Sequence, residues 1–301
     1  MRFLNKPEYL LRPQQVLSRI HFAFRSEDKP LSIELPWGVP IRVQPDDVIG
    51  RSICTYGVYD LVTTESIFRL LDAGETAVDI GANIGYMTGV MARRAGPQGK
   101  VICFEPCTGV FRELSANLGQ WRGHRTLAPV VAQQIALSRA EGDADLHIPT
   151  SFEHNHGIAS LEVVLHNGPA QNIERVRVAR LDQILEPDLV VGVMKIDVEG
   201  HEFGVLEGAQ SLLAEHRIRD IIFEEHGTYP TPVHRLLESY GYTLRRLSRR
   251  FSKPLLLPSN DPRRWNEYPV GVLSNYLATL DHERAEARFS KSGWRALSSR
   301  H

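Results

Sequence analysis

An acidic residue at the end of an apolar stretch begins the segment that is best suited to bind a small ligand. In AVDIGANIGYM, Asp79 is followed by Gly81 and Gly85, which are four residues apart. Glycine adopts positive φ and lets a ligand approach the backbone closely. The spacing differs from the GxGxxG turn that binds a dinucleotide, because Ala82 and Asn83 follow the first glycine. With its acid and its exposed amides, such a turn suits the ammonium and carboxylate ends of an amino-acid-bearing nucleoside.

A second acid, Glu105, follows the apolar stretch VICF, twenty residues after Gly85. A carboxylate at this position can accept hydrogen bonds from both hydroxyls of a ribose, which a neutral side chain does more weakly. Taken alone, Glu105 is an ordinary surface acid at a strand end. Paired with Asp79 at the end of the adjacent strand, it predicts a site for an adenosine-bearing cofactor, and the candidate is S-adenosylmethionine.

A third group of ionisable residues follows a later strand, in the segment KIDVEGHE. Alternation along the strand places Lys195, Asp197 and Glu199 on the same side. Burying so many charged groups is costly unless they serve one another or a ligand, and we predict a functional role for Asp197. Lys195 and Glu199 could instead form a structural ion pair, and His201 with Glu202 could begin a solvated helix face. Asp197, Glu199 and His201 offer possible ligands to a divalent metal, but their spacing is not diagnostic and no metal is assigned.

The next strand is followed by a similar group in FEEHGTYP, where His226 comes after Glu224 and Glu225. A neutral imidazole offers a free lone pair near neutral pH, so His226 is a candidate general base. The alternative is a histidine that caps the following helix or bonds to a loop. Tyr56 and Tyr59, in YGVYD before the glycine turn, could wall an acceptor pocket or simply pack a lid.

Two further segments have open interpretations. The loop SFEHNHGIASLEVVLHNG contains His154 and His156 and could shape an acceptor pocket or form a polar surface loop. The basic run LRRLSRRFSK, residues 244–253, is typical of a solvated face and could alternatively bind an anionic acceptor.

The elements that position these residues follow from short apolar runs that alternate with helical periodicity. This alternation is typical of a parallel sheet covered by helices on both faces. We predict strands at 76–80, 101–105, 130–137, 191–197 and 220–225, and helices at 85–95, 108–118, 202–215 and 232–240. ADLHIP and ERVRVARL are predicted as additional strands, and GVLSNYLATL as a last strand antiparallel to YTLRRL. The predicted domains are an N-terminal extension or lid at 1–60, a main domain at 61–280 and a C-terminal tail at 281–301.

The composition narrows the class of protein. The 301 residues carry a formal net charge of −1, which argues against a protein that wraps nucleic acid through bulk electrostatics. Cys54, Cys103 and Cys107 form no CxxC pair and fit a reducing compartment, and we expect the last two to be buried thiols. No apolar run reaches the roughly 18 residues of a membrane span, and the N-terminus lacks a signal-peptide pattern. We therefore expect a cytoplasmic protein without a membrane span.

Several segments occur in the order expected of one known family. They are DIGANIG, VICFEP with FRELSANL, IALS, ARLDQIL, KIDVEGHEFGVLEGA and a final NYLA. Over roughly residues 55–280 the chain thereby resembles the FkbM family of S-adenosylmethionine-dependent methyltransferases. The resemblance implies an α/β fold, the Rossmann-like class I methyltransferase fold, with a mostly parallel seven-stranded sheet of order 3-2-1-4-5-7-6, helices on both faces and an N-terminal extension.

The resemblance also implies which residues bind the cofactor. The implied residues are Asp79, Gly81, Ala82, Asn83 and Gly85 at the methionine end, Glu105 with Pro106 at the ribose, Ala136 and Ser138 near the adenine, and Asp197 between the methionine and the acceptor. Tyr56, Tyr59 and His201 are assigned to the acceptor, His201 at a position where such proteins vary.

The implied reaction is methyl transfer to a hydroxyl of a small molecule or carbohydrate. Transfer from a sulfonium is an in-line displacement, so the protein mainly aligns the acceptor oxygen and excludes water. A base then removes the hydroxyl proton as the new bond forms. We predict His226 as that base, with Glu199 or Asp197 as its orienting group or its substitute.

Three other classes of protein share some of these sequence features. A nicotinamide-dependent oxidoreductase also binds a ribose with a strand-end acid, but the GxGxxG spacing is absent. A nucleic-acid methyltransferase would have an Asn/Asp-Pro-Pro-aromatic tetrapeptide or a Pro-Cys nucleophile after the fourth strand, where this chain has DVEG. Pro106 and Cys107 form that dipeptide only after the second strand. A cofactor-binding scaffold without catalysis is the third class, and acids on three strand ends argue against it.

Overall fold

The computed structural model describes residues 7–12, 29–149, 160–161, 170–262 and 274–298. Within these ranges the chain forms an α/β fold with a large, mostly parallel sheet and helices on both faces, as predicted.

The described helices are α1 (Pro7–Leu11), α2 (Val48–Tyr56), α3 (Leu61–Leu70), α4 (Tyr86–Ala95), α5 (Thr108–Trp121), α6 (Leu181–Ile184), α7 (Glu202–Glu207), α8 (Gln210–Ala214), α9 (Pro232–Ser239) and α10 (His282–Ser290), followed by a 3-10 turn at Arg295–Leu297. The described strands are β1 (Leu31–Glu34), β2 (Pro40–Val43), β3 (Thr76–Ile80), β4 (Lys100–Phe104), β5 (Val130–Gln133), β6 (Ala136–Leu137), β7 (Gly142–Pro149), β8 (Ala170–Ala179), β9 (Val191–Ile196), β10 (Ile218–Glu224), β11 (Thr243–Arg249), β12 (Pro254–Pro258) and β13 (Asn275–Thr279).

The main sheet has eight strands in the order β5-β4-β3-β9-β10-β13-β11-β12. The five adjacent strands β5, β4, β3, β9 and β10 are parallel to one another. Strand β13 pairs antiparallel with β10 and with β11, and β11 pairs antiparallel with β12. In chain order this is the predicted 3-2-1-4-5-7-6 arrangement, with β12 added beside β11. The sheet therefore has one strand more than the seven expected. The additional strand, β12, lies at the sheet edge and has a proline at each end, as prolines confine a strand to an edge.

The central strands separate two hydrophobic cores. Alternate residues of a strand point to opposite faces of the sheet, so Ala77 and Val193 join one core while Val78 and Met194 join the other. All six residues of β9 are buried, and all but Lys195 are apolar or glycine. The sheet is therefore covered on both faces, and its polar side chains collect at the strand ends.

Two predicted elements are divided in the structure. The predicted strand 130–137 becomes β5 in the main sheet and β6, which pairs with β8 in a separate sheet of order β6-β8-β7. The polar residues Gln133 and Gln134 interrupt its apolar pattern there. The predicted helix 202–215 becomes α7 and α8, because the chain at Gly208 passes so close to Ser138 that a Cβ would lie 2.1 Å from its carbonyl oxygen.

The hairpin β1–β2 and helix α2 pack against the main sheet's helices. Trp37 and Ile41 belong to the same core as α3 and α4. The indole of Trp121 donates to Pro40 O at 2.6 Å, and the amide of Asn117 donates to Ile84 O at 2.8 Å and accepts from Arg42 N. Helix α5 thus connects the hairpin to the segment that follows β3.

The basic run of β11 is not a solvated face. Arg246 and Arg249 are buried, and Arg249 pairs with the buried Glu8 of α1 at 3.1 Å, while Arg245 pairs with Glu286 at 3.0 Å. Sequence alone did not indicate these partners, because they lie far away along the chain. The three cysteines are buried and form no disulfide, and burial was expected for Cys103 and Cys107. Among the described helices, none combines the length and the apolar character needed to cross a bilayer.

Candidate functional site

The turn after β3 passes directly against the end of β9. Gly81, Asn83 and Gly85 have φ of 75°, 51° and 93°. A Cβ on Gly81 would lie 1.9 Å from the carbonyl oxygen of Asp197, so no side chain fits there. The amides of Gly81 and Ala82 both donate to the carbonyl of Phe104, at 3.0 and 2.9 Å. These two amides therefore serve the end of β4, whose last carbonyl needs a donor.

Asp79 lies behind the cavity wall. It is fully buried, accepts a hydrogen bond from Thr88 Oγ1 at 2.6 Å and has its Oδ1 3.6 Å from Lys195 Nζ. Burial raises the pKa of its carboxyl, and Lys195 and Thr88 oppose that rise. Asp79 is not among the residues that line the cavity. Its contact with the cavity is indirect, through Lys195, which does line it.

Lys195 lines the cavity, although the sequence predicted no ligand-binding role for it. It is the cross-strand neighbour of Asp79, and its Nζ donates to Gly81 O at 3.0 Å and lies 3.3 Å from Asp197. Although burial disfavours the ammonium, Asp197 and Asp79 raise its pKa above the ordinary value. The alternation along β9 indicated its side of the sheet, yet the suggested pairing with Glu199 is not the one observed.

Glu105 lines the cavity together with Pro106. Its two carboxylate oxygens accept the backbone amides of Asn83 and Cys107, each at 3.0 Å. Burial raises the pKa of Glu105 to about 7, and the two amides oppose that rise. A carboxylate has about four acceptor positions, so each oxygen retains one for a ligand hydroxyl.

Of the two residues assigned near an adenine, Ala136 lines the cavity and Ser138 does not. Ser138 Oγ instead lies 2.9 Å from Nε2 of His201 in a hydrogen bond, and His201 lines the cavity. The neighbours Ile135 and Leu137 complete an apolar wall beside Glu105.

Three carboxyl groups form a cluster on the other side of the cavity. Asp197, Glu199 and Glu224 each offer an oxygen, and these atoms lie within 4.8 Å of one another. Burial, then Asp197 and Glu202, raise the pKa of Glu199 to about 8. Burial, then Asp197 and Glu199, raise the pKa of Glu224 well above its ordinary value. Such a cluster can retain a proton at neutral pH or hold a cation.

Polar residues from the connection between α2 and α3, from α3 and from β13 extend this side of the cavity. Tyr59 and Asp60 line it, and the Asn275 amide donates to Asp60 at 2.9 Å and to Thr63 Oγ1 at 2.9 Å. Burial, then the surrounding acids, raise the pKa of the Tyr59 phenol. Tyr56, the other tyrosine assigned to the acceptor, does not line the cavity and has its ring 5.7 Å from that of Tyr9.

His226 lies at the rim. Its side chain is 71% exposed, its Nε2 lies 3.3 Å from Glu224, and it is not among the cavity-lining residues. Neighbouring Glu225 turns away and accepts hydrogen bonds from Gly227 N and Thr231 Oγ1. The cluster therefore lies inside the cavity, while the predicted base contacts it from outside.

These groups surround one cavity of about 290 Å³. The glycine turn, Glu105 and Lys195 line one part of it, and the carboxyl cluster with Tyr59 lines an adjoining part, since Asp197 of the cluster lies 3.3 Å from Lys195. Of the loop 151–168, Ser160 and Leu161 line the cavity, whereas His154 and His156 lie outside the described residues.

Known proteins resemble the chain over this same region. Residues 79–244, more than half of the chain, match the family model for the methyltransferase FkbM domain. The chain is 27% identical over 237 residues to the AMB antimetabolite synthetase AmbE of Pseudomonas aeruginosa, covering 67% of this chain and 10% of that protein. It is 29% identical over 187 residues to the hexuronic acid methyltransferase AglP of Haloferax volcanii, covering 60% of this chain and 70% of that protein.

A solved structure is also similar, the methyltransferase FkbM from Methylobacillus flagellatus KT. Its TM-score is 0.43 at 15% identity, with 70% of this chain and 47% of that chain covered. The present chain thus spans about a tenth of AmbE and about half of the solved protein.

Proposed function

The chain belongs to the FkbM methyltransferase family, and from that premise we propose that it transfers a methyl group to a hydroxyl of a small molecule or sugar. The matched residues form an S-adenosylmethionine-dependent methyltransferase domain. The polar wall opposite the glycine turn supports an oxygen-rich acceptor. The name of AglP gives a hexuronic acid as what that relative methylates, which supports a carbohydrate or a similar polyol here.

The observation that carries the proposal is the fit of one end of the cavity to the cofactor. Gly81, Ala82 and Asn83 line the cavity, and Glu105 keeps an acceptor position on each oxygen. In the proposal, Glu105 holds the ribose, Ala136 and Pro106 flank the adenine, and Lys195 with Asp197 borders the methionine end. When bound, S-adenosylmethionine would supply a methyl group on a sulfonium that is already activated for displacement.

The acceptor proton goes first to the carboxyl cluster in this proposal. Asp197 and Glu199 line the cavity, where an acceptor hydroxyl can reach them. A base works best when its pKa is near the working pH, and the pKa of Glu199 is raised to about 8. His226 lies 3.3 Å from Glu224, so we assign it the transfer of that proton onward to solvent.

Calorimetric titration of S-adenosylhomocysteine and, separately, of NADH tests the cofactor. We expect saturable binding of S-adenosylhomocysteine and none of NADH, and the reverse result would restore the oxidoreductase alternative. Incubation with methyl-labelled S-adenosylmethionine and a metabolite extract of the source cells tests the reaction. The label should enter a compound of low molecular mass as an acid- and base-stable methyl ether, and label recovered only as an ester or N-methyl group would contradict transfer to a hydroxyl.

A further inference from the structure

Asn275 is a polar residue of the cavity wall that no step of the proposed reaction uses. It begins β13, where it is the cross-strand partner of Glu224 on β10, and both residues line the cavity. Residues directly opposite each other in an antiparallel pair project to the same face of the sheet. Asn275 is only 8% exposed, so its polar atoms need partners from the protein or from a ligand.

The amide nitrogen of Asn275 is fully occupied by the protein. Its Nδ2 donates to Asp60 Oδ2 and to Thr63 Oγ1, each at 2.9 Å. An amide nitrogen has two protons, so both are used. The other oxygen of Asp60 accepts Thr63 N at 3.2 Å, and a carboxylate has no proton to donate. These contacts fix the orientation of the amide, with its nitrogen toward Asp60 and its oxygen away from it.

The amide oxygen of Asn275 accepts no hydrogen bond from the residues that the structure describes. It is also not among the described polar atoms that are both unpaired and sealed from solvent, so it opens into the cavity that Asn275 lines. An amide oxygen can only accept, and leaving such an acceptor unpaired in a largely buried position is costly. The wall therefore presents an acceptor of fixed orientation to a hydrogen-bond donor of the ligand.

Asp60 is held by an uncommon backbone conformation and by the helix that it caps. Its φ of 32° lies in the left-handed region, and its side chain caps α3 by accepting Thr63 N. All ten residues of α3 are buried, so the core fixes the position of this cap. Backbone conformations of this kind persist where the surrounding structure imposes them, and they are frequent at binding sites. Asp60 is thus a rigid support for the amide of Asn275.

We propose that Asn275 binds a second hydroxyl of the acceptor, beside the hydroxyl that is methylated, and that Asp60 is the positioning residue that keeps the amide oxygen turned toward it. The inference rests on the proposed function, in which the proton of the reacting hydroxyl goes to Asp197 and Glu199. A hydroxyl has one proton, so the reacting group cannot also donate to Asn275. The acceptor class is thereby narrowed to a polyol, a compound with at least two hydroxyl groups.

The labelled product tests the acceptor class. The compound of the metabolite extract that receives the methyl label is purified, acetylated with acetic anhydride and measured by mass spectrometry before and after mild alkali. Mild alkali removes acetyl groups from oxygen but not from nitrogen, so the loss of mass counts the free hydroxyls, and we expect at least one. A labelled methyl ether without another hydroxyl would overturn the inference and leave the proposed function intact. No label in any compound, despite binding of S-adenosylhomocysteine, would refute both.

Exchange of the two side chains tests the role of Asp60. In Asp60→Asn the amide of Asn275 can flip and turn its nitrogen to the cavity, and Asn275→Asp brings two carboxyl groups together. Each change should raise the concentration of metabolite extract that gives half-maximal methylation by about 3- to 10-fold, the effect of one lost hydrogen bond. The double variant Asp60→Asn/Asn275→Asp again pairs one amide with one carboxylate and presents an oxygen to the cavity. It should approach wild type, a coupling that independent sites do not show.

Calorimetric binding of S-adenosylhomocysteine separates recognition of the acceptor from damage to the whole site. We expect its Kd to be unchanged in all three variants. Asp188→Asn removes a carboxylate at an exposed position before β9 and should match wild type in both assays. Half-maximal methylation at the wild-type extract concentration in both single variants, or a double variant no better than they are, would overturn the inference. Loss of S-adenosylhomocysteine binding in the single variants would also overturn it, because the pair would then support the site as a whole.

Discussion

The two ends of the cavity differ in how their charges are balanced. At the cofactor end, Lys195 lies beside the buried Asp79, and Glu105 accepts two backbone amides. At the acceptor end, the three carboxyl groups of Asp197, Glu199 and Glu224 lie within 4.8 Å of one another, and Lys195 is the buried cation that acts on all three. The first end is therefore complete within the protein, whereas at the second end one cation serves three carboxyl groups.

The two ends therefore have different roles: the cofactor end is preorganised, and the acceptor end recognises what binds there. Fixed partners hold the cofactor end in one geometry, because fully satisfied polar groups rigidify their surroundings. Crowded carboxyl groups that share one cation instead make the free energy of the acceptor end depend on what is bound there. The predictions that follow test this contrast.

Lys195→Met should have the largest effect, because it leaves the fully buried Asp79 without its cation. Removing one partner of a buried ion pair costs about 3–5 kcal/mol. We expect the free energy of unfolding in urea to fall by that amount. Lys100→Met, whose partner Glu186 is exposed, is the control and should cost less than about 1 kcal/mol. Similar costs for both variants would contradict a structural role for Lys195.

Gly81→Ala should be nearly as severe, because a Cβ would lie 1.9 Å from the carbonyl oxygen of Asp197 at a φ of 75°. Overpacking and backbone strain together cost roughly 2–4 kcal/mol. We expect a lower denaturation midpoint and loss of S-adenosylhomocysteine binding by calorimetry. Gly74→Ala has a similar φ of 86° but no heavy atom within 4 Å of its Cβ, so it isolates the strain. If it destabilises as much as Gly81→Ala, the contact with Asp197 is not the cause.

Glu105→Gln should weaken cofactor binding and also lower stability, because the single amide oxygen of glutamine cannot accept both backbone amides that Glu105 accepts. A charged acceptor for the ribose hydroxyls becomes neutral, so we expect the Kd for S-adenosylhomocysteine to rise about 10- to 100-fold. The exposed Glu186→Gln should leave that Kd unchanged. An unaltered Kd in Glu105→Gln would remove this residue from the proposed ribose site.

The smallest effect is expected from pH. The carboxyl groups of Glu105 and Glu199 have pKa values raised from 4.5 to about 7 and about 8 in the folded chain. A raised carboxyl pKa means that the folded state binds more protons, so their stabilisation is fully present below about pH 4.5 and is lost as pH rises through 7–8. We expect the free energy of unfolding in urea to fall as the pH rises from 5.5 to 8.5. Glu199→Gln should flatten the profile, and a steeper profile would contradict its raised pKa.

Much of the fold could be predicted from the sequence, because it depends on local periodicity. Alternation and strand order placed Glu105 and Asp197 at the ends of strands on either side of β3, and both line the cavity. The antiparallel pairing of β13 with β11 was also predicted correctly. Strand β12 was not predicted, since the prolines at its two ends are not typical of a strand.

The choice of partners could not be predicted, because it depends on distances between elements. Alternation along β9 indicated the face of the sheet on which Lys195 lies. It did not indicate which acid lies beside Lys195, because the register between β9 and β3 places Asp79 there. Likewise, nothing near His226 in sequence indicated that its side chain would be 71% exposed. Burial of single side chains at strand ends is decided by tertiary packing.

The contact between Gly81 and the carbonyl of Asp197 has a consequence for protein engineering. Because the backbone of the glycine turn fills the space beside β9, a library that varies residues 195–197 would disturb both ends of the cavity together. Leu161 and Glu224 line the acceptor end and have no such contact with the turn. We expect altered acceptor preference to be reached most readily through those two positions, with the cofactor turn kept as it is.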